Sequence, residues 1–194
     1  MITNVLLVGV GGQGTITASQ VLAEACLHQG WHIKKSEIHG MSQRGGSVES
    51  HVRFSPEQPV PSPTIPEGEV DVLLGFELLE ALRSLPQVKA EGTVIVDPRR
   101  IVPMTVTLGG AAYPEDAVEQ LQASGRRLII VPAFDEAQSL GEVRAANIIL
   151  LGAAAKVLDL SFDVMEAAIR ATVKPKAIDI NLKAFARGVQ LAAL

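Results

Sequence analysis

Hydrophobic positions change period several times along the chain, and the changes predict its elements. Asn4-Val5-Leu6-Leu7-Val8-Gly9-Val10 is a continuous apolar run ending in glycines, the pattern of a strand buried on both faces of a parallel sheet. From Thr15 to Gln29 the period becomes helical, with Ile16, Ser19, Leu22, Ala23, Cys26 and Leu27 on one side and Gly30 as the stop. Trp31 to Glu37 predicts a shorter second strand. Ser47 to Phe54 alternates Val48, Ser50, Val52 and Phe54 with Glu49, His51 and Arg53, which predicts a strand with one wet face, antiparallel or near an edge. Val70 to Gly75 and Thr93 to Val96 read as two more buried strands, separated by a helix from Glu77 to Leu85 that Pro86 stops. Met104 to Leu108 is a weaker strand. Glu115 to Ser124 is a helix closing at Gly125, and Arg127 to Val131 is another strand. Beyond Pro132 the texture is helical: Ala145 to Leu158, Val164 to Thr172 and Ile178 to Leu194, the last with Leu182, Phe185, Ala186 and Val189 in one stripe.

Pro56 to Pro66 cannot be a helix or a central strand, and reads as an extended surface loop because sheet-forming segments resume straight after it. Alternating strands and helices followed by a helical tail predict an α/β fold. Its sheet is mostly parallel and Rossmann-like, flanked by helices, with a helical C-terminal segment. Residues 1–194 read as a single domain.

Composition narrows the class. With 17 Lys+Arg against 21 Asp+Glu the formal charge is −4, the wrong sign for a nucleic-acid binder. At 4% aromatic, with one Trp and one Tyr, there is no stacking platform for single strands. The richest apolar run, Ala145 to Ala155, is too short to cross a membrane. Met1-Ile2-Thr3-Asn4 carries no basic n-region, so a cytoplasmic location is expected. The single cysteine, Cys26, excludes an intramolecular disulfide and a cysteine-held iron–sulfur cluster within this sequence.

Gly9-Val10-Gly11-Gly12-Gln13-Gly14 satisfies G-x-G-x-x-G between a predicted strand and helix. Glycines there allow a tight turn and a close approach to a helix N-terminus that holds anions. Glu37, 23 residues past Gly14, falls where a ribose-binding acid would sit. A phosphate-loop reading fails because position 15 is Thr, not Lys. An anion, a nucleotide-like ligand and a partner's backbone all remain open as occupants, beside a purely conformational role.

Glu37-Ile38-His39-Gly40-Met41-Ser42-Gln43-Arg44-Gly45-Gly46-Ser47 packs a carboxylate, an imidazole, a hydroxyl, an amide and a guanidinium around three glycines. The arginine fork suits a carboxylate or a phosphate. These two segments together resemble the gamma-type domain of 2-oxoacid:ferredoxin oxidoreductases. The His-Gly-Met-Ser-Gln-Arg-Gly-Gly wording is most similar to the beta subunit of the indolepyruvate type. Asp71, Asp97-Pro98 and Asn147 with Leu151-Gly152 also fit the family pattern.

The resemblance implies one pyruvate/ketoisovalerate oxidoreductase gamma-type catalytic domain, acting as an accessory subunit of a heteromeric enzyme. Such enzymes oxidatively decarboxylate 2-oxoacids, here aryl pyruvates, with coenzyme A. They yield acyl-CoA, carbon dioxide and reduced ferredoxin. Thiamine diphosphate, magnesium and iron–sulfur clusters would reside on a larger partner, since this sequence lacks both the cysteines and a Gly-Asp-Gly segment with a downstream Asn. Arg44, Ser42 and Gln43 are the candidate catalytic contacts. Gly9, Gly11, Gly12, Gln13, Gly14, Glu37, His39, Gly45 and Gly46 are the candidate cofactor-binding residues. Arg44 would hold either the 2-oxoacid carboxylate or a coenzyme A phosphate. The competing reading is a stand-alone NAD- or flavin-binding oxidoreductase.

His39 and His51 with Glu37 and Glu49 match no metal-ligand spacing, so no metal is expected. Cys26 reads as a buried inert thiol. Arg99-Arg100 and Arg126-Arg127 read as solvated surface, with Arg99-Arg100 a candidate for an interface.

Overall fold

The computed structural model describes residues 1–40, 45–102 and 112–192. Among these, six strands form one sheet: β1 Thr3–Val10, β2 His32–His39, β3 Ser47–Ser55, β4 Val70–Gly75, β5 Val88–Val96 and β6 Arg127–Ile130. Their order is β2-β3-β1-β4-β5-β6. β1, β4, β5 and β6 run parallel, whereas β3 is antiparallel to both β1 and β2. The expected α/β architecture is therefore present. The alternating segment Ser47–Ser55 is the antiparallel strand.

Among the described residues, seven helices cover the sheet: α1 Thr15–His28, α2 Leu78–Ser84, α3 Ala117–Ala123, α4 Ala133–Ser139, α5 Ala146–Val157, α6 Phe162–Thr172 and α7 Ile178–Leu191. Strand side chains alternate between two cores. Val5 and Leu7 of β1, Leu74 of β4 and Ile95 of β5 meet α1 and α4 to α7 on one face. Leu6, Val8, Leu73, Val94 and Val96 meet α2 and α3 on the other. Burial on both faces is why β1 shows no polar alternation.

Three segments differ from the sequence reading, and a fourth falls where the structure is not described. β5 begins at Val88, earlier than Thr93. α4 was not anticipated, because it is one short helix directly after Pro132. The weaker strand read at Met104 to Leu108 lies outside the described residues. The supposed wet face of β3 is buried: His51 is 4% exposed and Arg53 6%. The proline segment lies over that face where a helix would otherwise sit, with Val60 and Ile65 buried. Its backbone meets several of the polar groups beneath it. Arg53 Nη1 donates to the carbonyls of Ser62 (3.0 Å) and Thr64 (2.9 Å), and Ile65 N–H donates to His51 Nδ1 (3.2 Å).

The C-terminal helix turns part of the expected stripe inward: Phe185 is fully buried, and Leu182 and Val189 pack against the core half-buried. Asn181, Ala184 and Gly188 are buried beside them, so the inward face is rotated slightly away from Ala186. α7 crosses α5 where Gly152 and Gly188 meet, and a Cβ added to Gly188 would lie 1.9 Å from the Ile149 carbonyl oxygen.

Candidate functional site

The C-terminal ends of the four parallel strands lie at one edge of the sheet, the edge at which open α/β sheets form ligand crevices. β1 runs into the Gly11–Gly14 loop there, and α1 leaves from it. Gln13 shapes this loop. Its Oε1 accepts the Val10 N–H (2.7 Å), and its Nε2 donates to the Phe76 carbonyl (2.6 Å) just past β4. The amide is engaged at both ends, so it ties the loop to the neighbouring strand. Gly14 caps α1 at φ 82°, in the left-handed region, and supplies no side-chain cap. A Cβ there would meet Asn147 Nδ2 at 2.6 Å, the same nitrogen that donates to the Gly14 carbonyl at 3.0 Å.

The second glycine segment locks onto the first. Gly11 N–H donates to the Gly46 carbonyl (2.8 Å) and Gly45 N–H to the Gly11 carbonyl (3.5 Å). Ser47 Oγ donates to Glu80 Oε2 (2.6 Å), which anchors this segment to α2. Gly9, Gly11, Gly12, Gln13, Gly14, Gly45 and Gly46 are thus brought together at one edge of the sheet. His39 stands beside them, lining with Thr15, Ile16 and Val48 a cavity of about 430 Å³ under the glycine loop. Ser42, Gln43 and Arg44 lie outside the described residues.

Glu37 sits apart from this cluster. β3 intervenes between β2 and β1, so Glu37 is two strands away, level with Leu7. Its carboxylate takes Lys35 Nζ at 2.6 Å. A dinucleotide fold of the usual order places β2 directly beside β1.

A wider cleft of about 800 Å³ opens on the other side of the glycine loop. Gly14, Ala145 with Asn147, and Ala177 bring the N-terminal ends of α1, α5 and α7 to it; α1 and α7 carry no side-chain cap, whereas the Glu142 carboxylate caps the short turn that leads into α5. Converging N-termini make the cleft attractive to anions. Arg99, Arg144, Lys174 and Lys176 line it as well. Asn147 is 5% exposed, and its Oδ1 has no hydrogen-bond partner. Asp97, at the end of β5, is 4% exposed, and burial pushes its carboxyl up to about 6. Its two oxygens accept the N–H groups of Arg99 (3.1 Å) and Phe134 (3.0 Å). Glu142, hydrogen-bonded by Arg144, is held down to about 2.

The sequence reading passed over Arg99, Phe134, Lys174 and Lys176 as site residues. They come from three segments far apart in the chain, and no spacing connects them.

Among the described residues no group of three or more His, Cys, Asp or Glu side chains converges. Cys26 is buried in α1, where desolvation pushes its thiol up to about 12, so it is neither a ligand nor a nucleophile. Among them, too, no helix is long and apolar enough to cross a membrane.

A mixed sheet of this order, with two interlocked glycine segments at its C-terminal edge, defines an α/β ligand-crevice protein. Residues 4–191 match the pyruvate ferredoxin/flavodoxin oxidoreductase family, and the chain belongs to it. The chain is 40% identical over 193 residues to indolepyruvate oxidoreductase subunit IorB of Archaeoglobus fulgidus, covering 97% of this chain and 94% of that one. It is 38% identical to the subunit of the same name from Thermococcus kodakarensis, over 97% and 95% of the two chains. The solved keto/oxoacid ferredoxin oxidoreductase gamma subunit of Geobacter sulfurreducens shares the fold, with a TM-score of 0.74 at 24% identity and 98% of each chain covered. The chain is therefore a subunit of the 2-oxoacid:ferredoxin oxidoreductase kind, similar to IorB.

Proposed function

We propose that this chain is the accessory subunit of a cytoplasmic complex that oxidatively decarboxylates aryl pyruvates of the indolepyruvate type. Coenzyme A is the acyl acceptor, and acyl-CoA, carbon dioxide and reduced ferredoxin are the products. Thiamine diphosphate, magnesium and the iron–sulfur clusters belong to a larger partner subunit, and the chain is inactive alone. The observation that carries this reading is the pair of interlocked glycine segments beside an anion-attracting cleft, in a chain 40% identical to an indolepyruvate oxidoreductase subunit over nearly its whole length.

The chain's own residues support a binding and bracing role. Gln13 and Asn147 hold the glycine loop from opposite sides. That fixes the free N–H groups at the start of α1 beside the cleft. Ser42, Gln43 and Arg44, in the sequence between His39 and Gly45, are the polar contacts proposed for substrate, with Arg44 holding a carboxylate or a phosphate.

The test is steady-state kinetics of the co-expressed complex, with viologen dye as electron acceptor and a panel of 2-oxoacids. The expected result is coenzyme A-dependent reduction, with kcat/KM for indolepyruvate at least tenfold above pyruvate and 2-oxoglutarate. A preference for a small aliphatic 2-oxoacid would replace the substrate class.

A further inference from the structure

We propose that Arg99 is an oxyanion-binding residue of the large cleft, presented to it by a stack on Phe134. The proposal rests on the subunit reading only for which oxyanion is bound. The Arg99 guanidinium carbon lies 3.8 Å from the centroid of the Phe134 ring. Stacking fixes the plane of the fork while leaving its edge N–H groups available. Among the described residues the Arg99 side chain donates no hydrogen bond and makes no ion pair, although it lines the cleft. Its neighbours behave otherwise. Arg100 pairs with Glu115, and Arg144, the other cleft arginine, pairs with Glu142.

Both members of the stack are held from behind. One carboxylate, Asp97, takes the backbone N–H of Arg99 and of Phe134. The Arg99 carbonyl accepts the N–H of Leu78 at 3.1 Å. Asp97 is thus a positioning residue, and it forms no salt bridge with the guanidinium. A planar fork with unused donors, fixed in place before any ligand arrives, suits a carboxylate or a phosphate. Lys174 and Lys176 line the same cleft without ion pairs among the described residues, and three helix N-termini add to the positive field. In the proposed complex that oxyanion is either a coenzyme A phosphate or the 2-oxoacid carboxylate.

The test is calorimetric titration of the full chain, and of its co-purified complex, with three probes: inorganic pyrophosphate, coenzyme A and indolepyruvate. Wild type is compared with Arg99→Gln and Arg99→Lys. Loss of a charge-assisted pair predicts affinity lower by roughly ten- to a hundredfold in Arg99→Gln. Arg99→Lys should recover part of it, because the charge remains but the stacked fork does not. Weakening of pyrophosphate and coenzyme A together assigns the site to phosphate, and weakening of indolepyruvate alone assigns it to carboxylate. Either result supports the proposal. Equal affinities in wild type and Arg99→Gln overturn it, as does a wild-type protein that binds none of the probes in either form. A complex that binds an oxyanion through Arg99 yet reduces no dye would sink the functional reading and leave this one standing.

Discussion

Replacing Gly188 by alanine sets two ordinary effects against each other, and the structure decides the sign. On helix propensity alone the change should stabilise α7 by about 1 kcal/mol. The new Cβ, however, would lie 1.9 Å from the Ile149 carbonyl oxygen, 2.8 Å from its carbonyl carbon and 3.0 Å from Gly152 Cα. All three are backbone atoms of α5, whose residues from Asn147 to Ala155 are buried, so no side chain can swing away. Ordinary contact begins near 3.4 Å, so the helices must separate by about 1.5 Å. Separation on that scale forfeits a large part of the dispersion contacts across the interface, including those of the fully buried Phe185. Overpacking costs of 1–3 kcal/mol or more apply. We take about 3 kcal/mol, from which the propensity gain subtracts about 1. The net is a loss of about 2 kcal/mol, or a Tm lower by roughly 4–8 °C in a chain of this size. Urea titration and thermal circular dichroism of the full chain measure it, with the exposed Gln190→Ala on the same helix as control. A Gly188→Ala protein with a Tm equal to or above wild type would refute the close-crossing argument.

Two further changes probe the site. Asn147→Asp replaces the donor to the Gly14 carbonyl with an acceptor of like polarity, so it should cost roughly 2–3 kcal/mol, more than Asn147→Ala, by urea titration. Asp97 carries a pH signature: its carboxyl is raised from 3.8 to about 6, so the folded chain holds that proton more tightly than the unfolded one. The associated stability is complete below pH 3.8 and is lost as pH rises through about 6, by at most about 3 kcal/mol. The stability of wild type minus that of Asp97→Asn should therefore fall between pH 4 and 7 and then level off; a difference that stays flat or grows over that range contradicts the assignment.

What was legible in the sequence follows from which forces leave a local trace. β1 and the glycine loop could be read because two-sided burial and a strand-to-helix turn both constrain consecutive residues. β3 reads as antiparallel or near an edge, and it is antiparallel, but its polar face was assigned to water. Alternation records polarity, and the partners of His51 and Arg53 are backbone groups of a segment some ten residues away and the Asn4 side chain on β1. The stripe read on α7 includes the buried Phe185 but leaves out Gly188, for a related reason. Hydrophobic periodicity gives no weight to Gly188, yet the absence of a side chain is what lets α5 approach. Gln13 stood out as a candidate contact, whereas its reach to Phe76 depends on β4 lying next to β1. The spacing from Gly14 to Glu37 suggested a ribose-binding acid. The chain order of strands does not reveal that β3 inserts between β2 and β1. Arg99 and Phe134 lie 35 residues apart and meet only through the ends of β5 and α4.

The central claim is that this chain works as one part of a larger electron-transferring enzyme. Anaerobic affinity purification of the full chain from its native cells tests it most directly, with iron analysis and dye reduction on what is recovered. The account predicts a brown, iron-containing larger subunit in stable association, and viologen reduction that requires both indolepyruvate and coenzyme A. A colourless chain recovered alone in good yield, binding NAD or a flavin tightly, would contradict it.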